Sequence, residues 1–361
     1  MTVGRGLAFF VIITVAGLMG VFLYTTSLSD LPQIVQGLSP GWLALCLVVP
    51  PLADWFVSGL RMYLFTTVTA PKVTLLGCVR TCAVGAFVNA ATPSQTGGGV
   101  AQIYALTREG ATPGAALGIL WMTFLATLLY YCLAAIALWK AASLGVVPGI
   151  HTSLPFIIAA GLFGGFSMLL LVALAHPVGA LALLQRVTNW LERWRLPSSI
   201  ARKINDALDE CGDTVGRLAF EHKLRFAVAI GLSVVIFGNK YFAAYFAVRA
   251  LGLSPPLLDL LIIQVFINVL IYFFPTPGGS GGAEVGGAVL MSRMVPGHLL
   301  GPITILWRSA TVYLSVIVGG ILLMRHVKRA SADRDGVDDD LEAVERTGEA
   351  TSTDEPTTPQ S

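Results

Sequence analysis

Charge is scarce in this sequence: Asp, Glu, Lys and Arg supply 12% of its 361 residues. A soluble domain carries about 25%, so the chain cannot cover itself with a water-facing surface. Cysteine is also sparse. Cys46, Cys78, Cys82, Cys132 and Cys211 form no Cys-x-x-Cys pair and share no ligand spacing with the histidines. That excludes the usual zinc and dithiol motifs, and these cysteines read as small apolar helix residues. There is no His-Glu-x-x-His, no phosphate-loop lysine and no paired-carboxylate constellation, so zinc-peptidase and P-loop chemistry have no motif to rest on. The net charge is only +2, which gives no basis for a nucleic-acid partner. No metal, no cofactor and no catalytic residue is expected.

Apolar residues are plentiful, at 55%. They gather in long runs over 7–23, 42–60, 115–139, 155–175, 226–248, 257–274 and 303–324. A bilayer core of about 30 Å takes about 20 apolar helical residues. The expected fold is all-α, a polytopic bundle of about six full spans and two re-entrant helical hairpins. The first run follows only Arg5 and precedes no small-residue cleavage site, so it reads as a retained span.

The few charges are unevenly spread. Residues 330–361 hold ten acids and two bases, with Ser, Thr and Pro and few large apolar residues. They read as a disordered acidic tail. Basic residues crowd 177–225 and recur at Arg325, Lys328 and Arg329. Because Lys and Arg favour cytoplasmic loops, both segments are placed inside, and both termini with them. The expected location is the cell membrane.

Two apolar stretches are interrupted. The first breaks at Thr92-Pro93-Ser94-Gln95-Thr96-Gly97-Gly98-Gly99, between arms over 73–92 and up to Arg108. The second breaks at Thr276-Pro277-Gly278-Gly279-Ser280-Gly281-Gly282. Proline and clustered glycine cannot continue a helix. Each break ends in Ala with an amide or acid, Gln102 or Glu284. Asp54 precedes Thr92 by 38 residues and Asn239 precedes Thr276 by 37, while Trp121 and Trp307 follow at similar distances. The chain therefore reads as two halves, about 41–140 and 223–326, each span, hairpin, span, with opposite orientation. Inverted repeats with helices broken at mid-membrane mark secondary transporters.

Between the halves lies an amphipathic elbow, 177–222. Ser198-Ser199 is the expected N-cap, and Ile200, Ile204, Leu208, Cys211, Val215 and Leu218 recur at helical spacing. The stripe is expected to lie on the inner membrane surface. Docking a partner protein, there or on the tail, is the alternative.

Irregular backbone survives at membrane depth only inside protein or along a wet cavity, so both breaks are expected to line one. Gly97, Gly98, Gly99, Gly278 and Gly279 let a headgroup approach the backbone. Ionisable residues within spans default to functional candidates: Asp54, Arg61, Arg80, Lys240, Glu284 and Arg308. Arg80 and Lys240, with Arg61 and Arg308 nearer the two surfaces, are expected to pass an anionic headgroup across. Snorkelling to the interface is the plainer reading of Arg61 and Arg308. Asn89, Gln95, Gln102 and Asn268 would hydrogen-bond the headgroup. Asp54 would neutralise Arg61 or Arg80, and Glu284 would bind a coupling proton or a cationic headgroup.

These residues also resemble a known family. Arg61, then Phe87-Val88-Asn89 leading to the first break, Ala101 to Leu106 and Arg108-Glu109-Gly110 resemble one of its motifs. Phe274 to Glu284 resembles the other. The family is the transmembrane region of lysylphosphatidylglycerol synthases, also called the flippase-like domain family, and the resemblance covers about 5–329. It implies a helical bundle with two re-entrant hairpins and lipid translocation. The motif residues it implies are Arg61, Asn89, Pro93, Gln95, Gly97–Gly99, Pro277–Gly279 and Glu284. The synthases carry a soluble aminoacyl-transferase domain after the membrane region, whereas this sequence continues into the acidic tail. No aminoacyl transfer is therefore expected. The expectation is a flippase, a transporter rather than an enzyme, for an anionic phospholipid or a polyprenyl-phosphate-linked lipid. The alternatives are a membrane-embedded transferase acting on a polyprenyl-linked sugar and a non-catalytic subunit of a lipid or envelope-glycosylation complex.

Overall fold

In this computed structural model the described residues are 3–93, 95–143, 161, 164–165, 167–172, 177–194, 197–271 and 274–325. The acidic tail and most of the 155–175 run lie outside them. Residues 1–319 form one compact unit. No β-strand occurs among the described residues, and the helices follow the apolar runs.

The helices are α1 (Val3–Thr25), α2 (Leu31–Gln36), α3 (Pro40–Thr69), α4 (Leu75–Ala91), α5 (Gly98–Arg108) and α6 (Pro113–Ser143). Then come α7 (Pro177–Trp194), α8 (Ser198–Gly216), α9 (Lys223–Ala250), α10 (Leu257–Ile271), α11 (Gly282–Met291) and α12 (Gly297–Arg325). Of these, α1, α3, α6, α9 and α12 are long and apolar enough to span a membrane. At 1.5 Å per residue, α4 and α5 reach about 26 and 16 Å, and α10 and α11 about 22 and 15 Å. Each of these is short of a bilayer core, so the expected hairpins are pairs of short helices.

Local chemistry sets the ends. Pro40 and Pro113 open α3 and α6 at a position where a missing N–H costs nothing. Thr74 caps α4 by accepting from the Gly77 N–H at 3.1 Å. Glu284 Oε2 accepts from the Gly281 N–H at 2.6 Å, satisfying one orphan donor at the start of α11. Inside α3 stand Pro50 and Pro51, and Asn239 of α9 donates to the Pro50 carbonyl at 2.8 Å.

α3 and α9 pack together most extensively, and they run antiparallel. Cys46 meets the Ala243 carbonyl, Asn239 meets Pro50, and Arg225 meets Leu64. One apolar cluster gathers α3 to α6 with α8, through Met62, Phe65, Leu106, Ile119 and Met122. A second gathers α1 with α9 to α12, through Leu260, Ile267, Met291 and Ile303. Tyr130, Tyr131, Phe237 and Tyr241 form a third, joining α6 to α9.

The elbow departs from expectation. Pro197 occupies the cap of α8, and neither Ser198 nor Ser199 caps it. Its stripe does not lie open on a membrane surface. Leu208, Cys211, Val215 and Leu218 are buried, because Gly114 and Gly118 of α6 let α8 approach closely. A Cβ on Gly118 would come within 2.6 Å of the Thr214 methyl. Only Ile200 and Ile204 of the stripe remain exposed.

Candidate functional site

The two breaks meet. Pro93 and Pro277 face each other in an isolated antiparallel β-bridge. A Cβ on Gly278 would stand 3.3 Å from the Ala90 carbonyl, and Gly278 and Gly279 adopt φ of +61° and +67°, which suits glycine. α1 closes over the second tip. Thr14 donates to Ser280 Oγ at 2.8 Å, and Phe10 packs against Gly278.

Beside the joined tips lies a cavity of about 130 Å³, room for several waters or a small headgroup. Asp54, Lys240 and Arg308 supply its charge. Asn89, Gln95, Asn268 and Gly278 add polar groups, and Trp307, Thr311 and Ser315 complete the α12 side. Gln95 holds φ +58°, a left-handed value without glycine; such strain concentrates at functional sites.

The cavity's charges come as two ion pairs. Lys240 Nζ lies 3.5 Å from Asp54 Oδ1, joining α9 to α3, and also sits over the Phe237 ring at 5.5 Å. Arg308 Nε donates to Glu284 Oε1 at 2.9 Å, with both side chains buried. Arg308 also reaches the Gly278 carbonyl at 3.4 Å, and the Tyr313 hydroxyl donates to the same Glu284 oxygen at 3.4 Å. At low dielectric each pair holds its members in place. The lining therefore presents two cations, each already matched by a carboxylate.

The halves differ here. The matched offsets put Gln102 against Glu284, and Met122, one residue after Trp121, against Arg308, one residue after Trp307. The second tip carries an ion pair where the first has uncharged residues. Gln102 packs instead against Gly85, whose Cβ would fall 2.6 Å from its amide. At the first tip the Gly98 N–H donates to Asn89 Oδ1 at 2.8 Å, and the Gly97 N–H to Thr92 Oγ1 at 2.9 Å. Gly99 faces open space, and Gly279 packs against Ile271.

Seven of the fifteen expected site residues line the cavity: Asp54, Asn89, Gln95, Lys240, Asn268, Gly278 and Arg308. Glu284 stands directly behind Arg308. Two placements differ from expectation. Arg308 is buried at the second tip rather than near a surface, held there by Glu284. Arg80 is absent from the lining. It falls in the second turn of α4, near the open end of the hairpin, and pairs with Glu109 at 3.8 Å. Arg61 also lies outside the lining and donates to Thr127 and Ser233 at 3.0 and 2.8 Å. Thr311 and Ser315 had no place in the sequence reading. Their signal was spacing, since Arg308, Thr311 and Ser315 recur at three and four residues.

The family model for the lysylphosphatidylglycerol synthase TM region matches residues 6–319. No curated protein matches the chain.

Proposed function

The chain belongs to the lysylphosphatidylglycerol synthase TM region family, and on that premise we propose that it carries a phosphate-bearing lipid headgroup across the bilayer. The observation that supports this reading is the cavity at the two joined tips, lined by Lys240 and Arg308. A headgroup phosphate would take the place of the Asp54 carboxylate on Lys240 and draw on the second cation, Arg308. In a water-poor site such contacts are stronger than in solution. Asn89, Gln95 and Asn268 would offer hydrogen bonds from the lining, and Gly278 there would let the headgroup approach the backbone. The antiparallel first helices of the two halves, α3 and α9, fit a rocking exchange of access around the fixed site. The substrate is an anionic phospholipid or a polyprenyl-phosphate-linked lipid, and the protein resides in the cell membrane with both termini cytoplasmic.

Reconstitution tests this. Proteoliposomes containing fluorophore-labelled phosphatidylglycerol, a labelled polyprenyl phosphate or labelled phosphatidylcholine are treated with a membrane-impermeant reductant. Faster loss of inner-leaflet signal for one of the two anionic lipids is expected. Rates equal to those of protein-free vesicles for the whole panel would overturn the proposal.

A further inference from the structure

α7 is 18 residues long but too polar to be a span, with Gln185, Arg186, Asn189, Glu192 and Arg193 along it. One side rests on α8. Leu181 and Thr188 are buried, Gln185 Nε2 donates to Asp209 at 2.7 Å, and Asn189 Oδ1 accepts from Asn205 at 3.1 Å. The opposite side is apolar and unpartnered. Leu183, Leu184, Val187, Trp190, Leu191 and Trp194 recur at helical spacing on one face, and all are exposed, Trp194 at 69%. Trp190 and Trp194 pair with ring centroids 5.4 Å apart. Water-facing apolar stripes of this size are costly, so something covers it.

Charge says what. Arg186 and Arg193 are exposed on α7 along one edge of the stripe. The acids Asp206, Asp209, Glu210 and Asp213 all lie further along α8, whose buried side packs on α6. On α7 itself two arginines thus flank the apolar face against one acid, Glu192, on the opposite side. Just beyond α8, Phe220, Leu224 and Val228 are exposed around the start of α9, so the same end of the bundle turns apolar side chains outward where a candidate span begins. Tryptophan beside arginine on an amphipathic helix is the composition of a helix lying in a membrane interface.

We propose that α7, rather than α8, is the membrane-surface helix of this protein. It lies in the plane of an anionic leaflet with its stripe in the headgroup–acyl boundary and its arginines on lipid phosphates.

The test uses the full chain with Cys132→Ser, in nanodiscs of phosphatidylglycerol and phosphatidylcholine. An environment-sensitive fluorophore is placed at Val187→Cys or, on the opposite face, at Asn189→Cys. Position 187 is expected to be quenched several-fold more by a lipid-borne nitroxide than by a water-soluble one, and position 189 the reverse. In discs of phosphatidylcholine alone the contrast should shrink. A label-free check is quenching of native tryptophan by brominated lipid, which should fall in Trp190→Leu/Trp194→Leu. The proposal is overturned if the water-soluble quencher reaches both positions equally. It is also overturned if position 187 is shielded from both quenchers and cross-links to a second copy. Quenching that is identical without phosphatidylglycerol would remove the anionic preference.

Discussion

Arg308 and Glu284 meet with Nε 2.9 Å from Oε1, at 2% and 0% side-chain exposure, where the second broken helix restarts. Removing one member of such a pair strands a buried charge and costs about 3–5 kcal/mol, whereas replacing both is often near neutral. Arg308→Met or Glu284→Ala should therefore unfold well before the parent in detergent. Arg308→Met/Glu284→Gln, which keeps an acceptor for the Gly281 N–H, should recover most of the loss. A double variant no more stable than the singles would show that the pair is not what holds the tip.

Lys240 and Arg80 separate the cavity from the hairpin's open end. The Lys240–Asp54 pair is partly open to the cavity, and a glutamine at 240 keeps a donor for the Asp54 carboxylate, so Lys240→Gln should fold. Loss of one phosphate contact worth about 1.4 kcal/mol lowers binding tenfold, and translocation in proteoliposomes should fall by about that factor. Arg80→Gln should stay within about twofold of the parent. Equal effects of the two would remove Lys240 from its proposed role.

Neighbouring glycines at the first tip should respond in opposite ways. A methyl group at Gly98 runs into the Asn89 amide that accepts its own N–H, and overpacking of this kind costs about 1–3 kcal/mol. At Gly99 it meets nothing and gains helix propensity, about 1 kcal/mol. Thermal unfolding of Gly98→Ala and Gly99→Ala should move down and up, respectively.

The paired tips can be locked. Residues facing each other in an antiparallel bridge have Cα atoms about 4.5–5.5 Å apart, inside the disulfide range. Pro93→Cys/Pro277→Cys should oxidise to an intramolecular cross-link, seen as a shift on non-reducing gels. Translocation should stop in the oxidised form and return with reductant. Full activity of the locked form would mean that the tips do not part during transport.

Cys211, at the α8–α6 contact, reports on elbow packing. Burial, with Glu210 nearby, pushes its thiol up to about 11. Because only the thiolate reacts, roughly one molecule in a thousand is competent at pH 8. In a Cys132→Ser background, alkylation of Cys211 should be slow at pH 8 and rise steeply above pH 10. Fast labelling at pH 8 would show that α8 leaves α6 readily.

The breaks were legible in the sequence because proline and glycine punctuate a helix wherever they occur, so Thr92-Pro93 and Thr276-Pro277 stood out without any partner. The matched offsets marked related halves whose breaks should line a cavity, but did not show that the two breaks would meet. The pairings were not legible. Lys240 finds Asp54 across 186 residues, and no local pattern encodes that. Arg80 misled because the helix register, not the residue's place in an apolar run, decides depth. Starting at Leu75, α4 leaves Arg80 about 8 Å from the hairpin's open end. The stripe of α8 was visible, but α6 claimed it, since Gly114 and Gly118 reveal a docking groove only once α8 is known to cross them.

Both residues of the Pro93–Pro277 bridge lack an amide hydrogen. A seam of ordinary residues could lengthen rung by rung into a ladder and fuse the halves. This one stops at a single stitch: the Thr92 N–H, which the next rung would need, donates back to the Asn89 carbonyl, and Gly278 and Gly279 turn off at φ of +61° and +67°. The chain thus brings its two most irregular stretches together at one point without zipping them shut. A joint so limited can open without first unravelling a sheet.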